Sequence, residues 1–195
     1  MLTAPPRVWE EPEGLFHSLI SREFYDYWHG LALRRGGVPL REDFNPAAVK
    51  HLLPHIFIVE KRPDSGRFYF RLSGTGIRNI MGFENTNRFL DELLRGSDLE
   101  AVSEMFEQVL SQGVCIRSIE GFTYSDRSYL RAEIVRLPLR RNLDDCSLVI
   151  GCLSRVENDS RARPAAGTVK DKQVIQIKND VVPRNAFSPG PALNS

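Results

Sequence analysis

The sequence predicts an α+β domain in which helices cover an antiparallel sheet. Three observations lead there. Five strand-like runs can be read, two before a block of helical segments and three after it, an order that argues against regular βαβ alternation. The helical stretches carry start and stop residues of their own. The composition then breaks at Glu157, where polar sequence bearing Pro and Gly replaces the apolar patterning.

After a Pro-bearing lead over residues 1–14, Phe16, Leu19, Ile20, Phe24, Tyr27, Trp28 and Leu31 recur at helical spacing across residues 15–33. Gly36 and Gly37 end that helix. A short second helix follows, with Asn45 as N-cap, Pro46 at its first position, Val49, Leu52 and Leu53 facing inward, and Pro54 as its stop. "HIFIVEK" is apolar on both faces, as in a strand inside a sheet. "RPDSG" is turn chemistry, and "RFYFRL" sets Phe68, Phe70 and Leu72 against Arg67, Tyr69 and Arg71. Together these runs predict a β-hairpin.

Residues 97–113 form the best-signed helix. Ser97 and Glu100 fit a capping box, Asp98 suits the positive end of the helix dipole, and Gly113 terminates it. Leu99, Val102, Phe106, Val109 and Leu110 make its apolar stripe. Strand-like runs over residues 114–124, 129–139 and 147–156 close the domain. Residues 157–195 read as a polar, flexible tail, within which "QVIQIKNDVV" has the weak alternation of an edge strand or of a segment that docks on a partner.

Bulk properties narrow the function. A chain of 195 residues with 42% hydrophobic content can bury a core without covalent staples. A formal net charge of +1 supplies no field that would draw it to nucleic acid or a membrane surface. The apolar runs "IFIV" and "LVIGCL" are too short to span a bilayer, and the N-terminus lacks the apolar core of a signal peptide. Cys115, Cys146 and Cys152 are odd in number and form no C-x-x-C pair, which fits reduced thiols in a cytoplasmic protein.

"FRLSGTGIRNIMGF" invites a nucleotide reading, since a strand runs through Gly74 and Gly76 into a helix. A dinucleotide fingerprint needs a third glycine where Asn79 stands, and no Walker lysine follows. The expectation is structural: Gly74 permits a tight turn from sheet to helix, with Ser73 or Thr75 capping the exposed amides.

The runs "PLREDFNPAAVKHLLPHIFIVE" and "FYFRLSGTGIRNIMGFENTNRFLDEL" resemble a bacterial family of PAS-domain proteins with little else attached. Trp28, Pro39, Arg41, Asp43, Asn45-Pro46, Leu53-Pro54, Arg71, Gly74-Thr75, Gly82 and Thr86 carry the resemblance, which spans roughly residues 20–156. Asn87 stands where that family usually has glycine, and asparagine tolerates a left-handed conformation. The resemblance implies a five-stranded antiparallel sheet with helices on one face, preceded here by an extra N-terminal helix. It also implies a small molecule bound between sheet and helices, or pairing with other proteins through flanking helices.

Candidates follow from these readings. Phe57, Phe70, Arg71, Thr75, Ile77, Ile80, Met81, Phe89 and Phe106, with Leu110, are candidate walls of a ligand cavity. Arg71 is either a clamp on Asp43 or a nearby carbonyl, or an anion-binding arm. Phe16, Phe24, Tyr27 and Trp28 make the first helix more aromatic than its own packing requires, which suggests a homodimer or partner surface. No paired carboxylates, Ser-His-Asp order or G-x-S-x-G pattern supports an enzyme. His17, His29, His51 and His55 do not share a helical face as metal ligands would, and no histidine lies where a PAS haem ligand is expected. The helix-borne cysteine motif of light-sensing PAS relatives is missing as well, so neither metal nor cofactor is expected. The resulting reading is a sensory or regulatory module that acts through a signalling protein partner, gated by a small ligand, without an output domain. The alternative is a haem- or flavin-binding sensor.

Overall fold

The structure, a computed structural model, describes residues 15–123, 129–156 and 175–177. The lead over residues 1–14 and most of the predicted tail lie outside the described residues.

Alternation along the strands builds a sheet with two apolar faces. Strands β1 (Ile56–Lys61), β2 (Phe68–Ser73), β3 (Cys115–Thr123), β4 (Tyr129–Leu139) and β5 (Leu148–Val156) pair antiparallel, and a short β6 (Ile175–Ile177) joins the edge. The order is β2-β1-β5-β4-β3-β6. The five expected strands are present, and β6 falls within "QVIQIKNDVV". β1 lies between β2 and β5, in keeping with its two apolar faces. Pro138 sits in β4 beyond the last residue paired to β3, where its missing N–H leaves that ladder intact.

Helix α1 (Leu19–Arg35) lies on one face. Phe24, Tyr25, Trp28, Leu31 and Ala32 pack there against Ile56, Ile58, Cys115, Val135, Leu137, Ile150 and Cys152. Helices α2 (Thr75–Met81), α3 (Leu90–Leu93) and α4 (Gly96–Gln112) cover the other face, with Ile77, Leu90, Met105, Phe106 and Val109 against Phe57, Val59, Phe70, Ile134, Val149 and Leu153. β1, β3, β4 and β5 therefore send alternate residues to two separate cores.

Several local expectations are met, and others are corrected. Asn45 caps a 3₁₀ turn over Pro46–Val49 by accepting from the Ala47 amide at 3.0 Å; the second helix is thus 3₁₀ rather than α. Gly36 and Gly113 end α1 and α4 in the left-handed conformation, and Asn87 adopts φ 62 as its type allows. The Ser97–Glu100 capping box does not form. Gly96, at φ 54, starts the helix one residue early and carries Ser97 into the first turn, where it cannot act as the cap.

Leu72 leaves the face predicted for it. The β1–β2 register shifts between Ile58 and Val59, so Phe70 pairs with Val59 and Leu72 with Ile58. This bulge inserts Arg71 as the extra residue and turns Leu72 to the α1 side, where it is 42% exposed.

Gly74 is structural, though for a different reason than a special dihedral. Its φ is −67, and no side chain caps α2. A Cβ there would lie 2.3 Å from the Pro54 carbonyl oxygen, and one at Gly76 would lie 2.8 Å from the same atom. The glycines let the strand-to-helix turn rest on the Leu53–Pro54 backbone.

Candidate functional site

Between the sheet and helices α2–α4 lies a cavity of about 80 Å³. Its wall is mostly apolar: Phe57, Phe70, Ile77, Met81, Leu90, Val102, Phe106, Ile134 and Leu153 among others. The ring of Phe57 stands over Gly151, its cross-strand partner, where a Cβ would come within 2.0 Å of Cζ. Glycine at that position is what allows an aromatic wall here. Phe83 lines the cavity and is 38% exposed, so it marks the side that reaches solvent.

Five of the predicted wall residues meet at this cavity: Phe57, Phe70, Ile77, Met81 and Phe106. Leu110 is buried in the same core without reaching the lining, and Ile80 packs on that core from outside the lining. Thr75 is exposed at the start of α2. Phe89 packs on the Tyr69 ring at 5.1 Å, with the Arg67 guanidinium 3.7 Å from its own ring centre.

Arg71 is corrected most clearly. It stays on the face opposite Phe70, away from the cavity, where Nη1 donates to Glu60 at 2.7 Å. Asp43, its expected partner, is held instead by Arg35 through two bonds of 2.6 Å. Glu60 also receives Arg141 and has Arg62 at 3.5 Å. Burial pushes its carboxyl up, but the bonds and charges of Arg71 and Arg141 outweigh this and hold it below the ordinary glutamate value. Arg41, Arg71 and Arg141 then rim a groove floored by Ile58, Leu72 and Leu148.

The polar part of the cavity escaped sequence reading. Ser118, Glu120 and Arg136 are buried in β3 and β4 on the cavity side. Arg136 donates through Nη2 to Glu120 Oε1 at 2.7 Å and through Nη1 to Ser118 Oγ at 2.8 Å. Ser118 Oγ in turn donates to Glu120 at 2.7 Å, which closes a three-residue ring. Asn85, from the loop after α2, adds a buried amide to the same wall. The available signal was a charge breaking an apolar alternation, as in Leu130, Ala132, Ile134, Arg136 and in Ile116, Ser118, Glu120. Which charges face each other depends on the strand register, which periodicity does not supply.

A second buried pair stands on the α1 face. Arg117 Nε donates to Glu133 Oε1 at 2.6 Å, and the two Glu133 oxygens accept the backbone amides of His17 and Ser18 at 3.0 and 2.9 Å. These amides lead directly into α1, so one sheet carboxylate fastens the helix entry and lies at its positive end. Trp28 Nε1 donates to the Pro138 carbonyl at 2.9 Å, and Ser21 Oγ lies 2.9 Å from Ser154 Oγ.

Phe24 and Trp28 are therefore consumed in the chain's own core, which corrects their assignment to a partner surface. Tyr27 is half-buried edge-on against Phe44, and Phe16 packs on Tyr25. Among the four aromatics, Phe16 and Tyr27 keep exposed area.

Cys115 and Cys152 belong to the α1-side core, and burial drives both thiols far up from their ordinary value. His51 meets Glu23 at 2.7 Å, whereas His55 meets the Leu153 carbonyl at 3.1 Å, so the two do not converge. Among the described residues, no cluster of three His, Cys, Asp or Glu is placed to hold a metal ion. No helix among them is long and apolar enough to cross a membrane.

Comparison with solved structures returns folds of low identity. The light-state LOV domain of the blue-light photoreceptor Aureochrome1 is 17% identical with TM-score 0.42, covering 57% of this chain and 88% of that one. The Rhodobacter sphaeroides LOV protein is 10% identical with TM-score 0.42, covering 60% and 71%. The Vibrio cholera VqmA, solved as a ligand–DNA complex, is 16% identical with TM-score 0.40, covering 56% and 49%. No curated protein matches. The family described as PAS domain matches residues 16–154, which takes in α1, strands β1 to β4, β5 as far as Ser154, and the residues that line the cavity. With that span and this strand order, the chain belongs to the PAS-domain family, whose members are typically non-catalytic sensory modules.

Proposed function

We propose that this PAS module senses a small molecule held between the sheet and α2–α4, and that α1 hands the signal to a separate protein. The observation that carries the reading is the Glu120–Arg136 pair, tied together by Ser118, in the wall of a cavity lined otherwise by apolar residues and Asn85. Buried charges are costly in a core that only needs filling, whereas a few placed polar groups in an apolar wall are what ligand sites use.

The route outward follows neighbouring residues in the same strands. Arg136 lines the cavity and is bonded to Ser118, while Arg117 and Glu133, one to three residues away, hold the entry of α1 on the other face. A ligand that shifts Arg136 acts on the strand pair to which α1 is fastened. The partner then meets α1 and the segment before it, where Tyr27 and Phe16 are only partly buried.

A flavin or haem sensor is the rival reading, and the names of the similar structures lie closer to it than to a module acting through partners alone. The wall favours a smaller ligand. It leaves about 80 Å³, against the roughly 300 Å³ or more of ordinary ligand sites. No cysteine or histidine is among its lining residues.

Native mass spectrometry of the full chain purified from its own host tests the reading. A small uncoloured adduct is the expected result. A visible absorption band with a flavin or haem mass would establish the rival.

A further inference from the structure

The cavity's polar atoms specify more than the presence of a ligand. Asn85, Glu120 and Arg136 are 5%, 4% and 2% exposed, and all three line it. Arg136 spends its two terminal nitrogens on Glu120 and Ser118, yet its Nε–H is buried without a partner. The carbonyl oxygen of Asn85 is likewise buried and unpartnered. Each such group costs roughly 1–3 kcal/mol unless something pairs with it. Arg136 and Asn85, both in the wall, therefore each carry one buried polar atom without a partner, a donor and an acceptor.

Charge decides the rest. Glu120 already neutralises Arg136 at 2.7 Å, so the site presents no net cation. An anionic ligand seeking the Arg136 Nε–H would enter beside the Glu120 carboxylate in a water-poor cavity, where like charges repel most strongly. A cationic ligand would have to compete with Arg136 for the same carboxylate. Phe57, Phe70 and Phe106 favour a flat apolar body. The Arg136 guanidinium carbon lies 5.7 Å from the Phe106 ring centre, so the polar and aromatic parts of the wall adjoin.

Building on the sensory reading above, we infer that the ligand is a small, uncharged, flat molecule that accepts a hydrogen bond from Arg136 Nε–H and donates one to Asn85 Oδ1. Its apolar body rests on the phenylalanine wall.

The test uses three probes of similar size: 2-pyridone, which is neutral with one donor and one acceptor, benzene, and benzoate. Binding to the full-length wild type is followed by NMR, reading the Arg136 Nε–H and Asn85 side-chain resonances alongside the backbone amides. The expected result is saturable binding of 2-pyridone that shifts both side-chain signals, with benzene about tenfold weaker and benzoate weaker still. Asn85→Leu should weaken 2-pyridone about tenfold and leave benzene unchanged, although the probe order in the wild type decides the question without any variant. Benzene equal to 2-pyridone, or benzoate the tightest of the three, would overturn the neutral donor–acceptor class while leaving a ligand cavity in place. No binding by any probe would overturn this inference together with the sensory reading.

Discussion

Gly74 is kept small by the backbone it rests on, and that contact was hidden from the sequence. The residues around it signalled a turn, but the 2.3 Å clash with the Pro54 carbonyl belongs to a segment twenty residues earlier. Gly74→Ala should cost about 1–3 kcal/mol as an overpacked contact, measured by urea unfolding. An unchanged midpoint would contradict the contact. Glu60 provides a pH test. Its folded carboxyl titrates below the ordinary value, so its contribution is complete above the unfolded value of about 4.3 and is lost as pH falls through the folded one. The stability margin of wild type over Glu60→Gln should shrink between about pH 6 and pH 3, and a margin independent of pH would rule that out. The thiols give a third check. Burial raises Cys146 to about 12 and Cys115 and Cys152 further, so thiol reagent at pH 8 should react slowly with all three until denaturant is added. Rapid labelling of Cys115 or Cys152 in the native chain would show the α1-side core to be open.

Elements with a strong period were legible, and their attachments were not. The hairpin, the helix ending at Gly113 and the last three strands follow from apolar spacing and glycine stops. The bulge that moves Leu72 is one extra residue in an otherwise regular alternation, and only pairing with Ile58 and Val59 reveals it. The aromatic richness of α1 was visible, but whether it served the chain's own sheet or a partner depended on contacts distant in sequence, Trp28 with Pro138 and His17 with Glu133. The Glu133 attachment should be essential. Glu133→Ala leaves Arg117 and two amides unpaired, so a loss of about 3–5 kcal/mol is expected in equilibrium unfolding. In a Trp9→Phe background, Trp28 emission should shift to the red at denaturant concentrations where the sheet persists by circular dichroism. Coincident transitions would mean that α1 and the sheet separate only on global unfolding.

At the scale of the whole molecule, both faces of one antiparallel sheet are in use: α1 covers one, and α2–α4 enclose a cavity on the other. The apolar wall was largely readable, since Phe57, Phe70, Ile77, Met81 and Phe106 already looked like inward residues. The chemistry was not, because Asn85, Glu120 and Arg136 meet only through the β3–β4 register and a loop. The central claim is that this cavity is a ligand site, not a packing void. A thermal-shift screen of small neutral compounds, run in parallel on wild type and Val102→Phe, tests it most directly. Val102 lines the cavity and is only partly buried, so the larger ring can occupy the space while α4 stays in place. The account predicts a compound that stabilises wild type saturably, by about 2.7 kcal/mol at a hundred times its Kd, and has no effect on the folded variant. Equal stabilisation of both proteins, or none of the wild type by any compound, would contradict it.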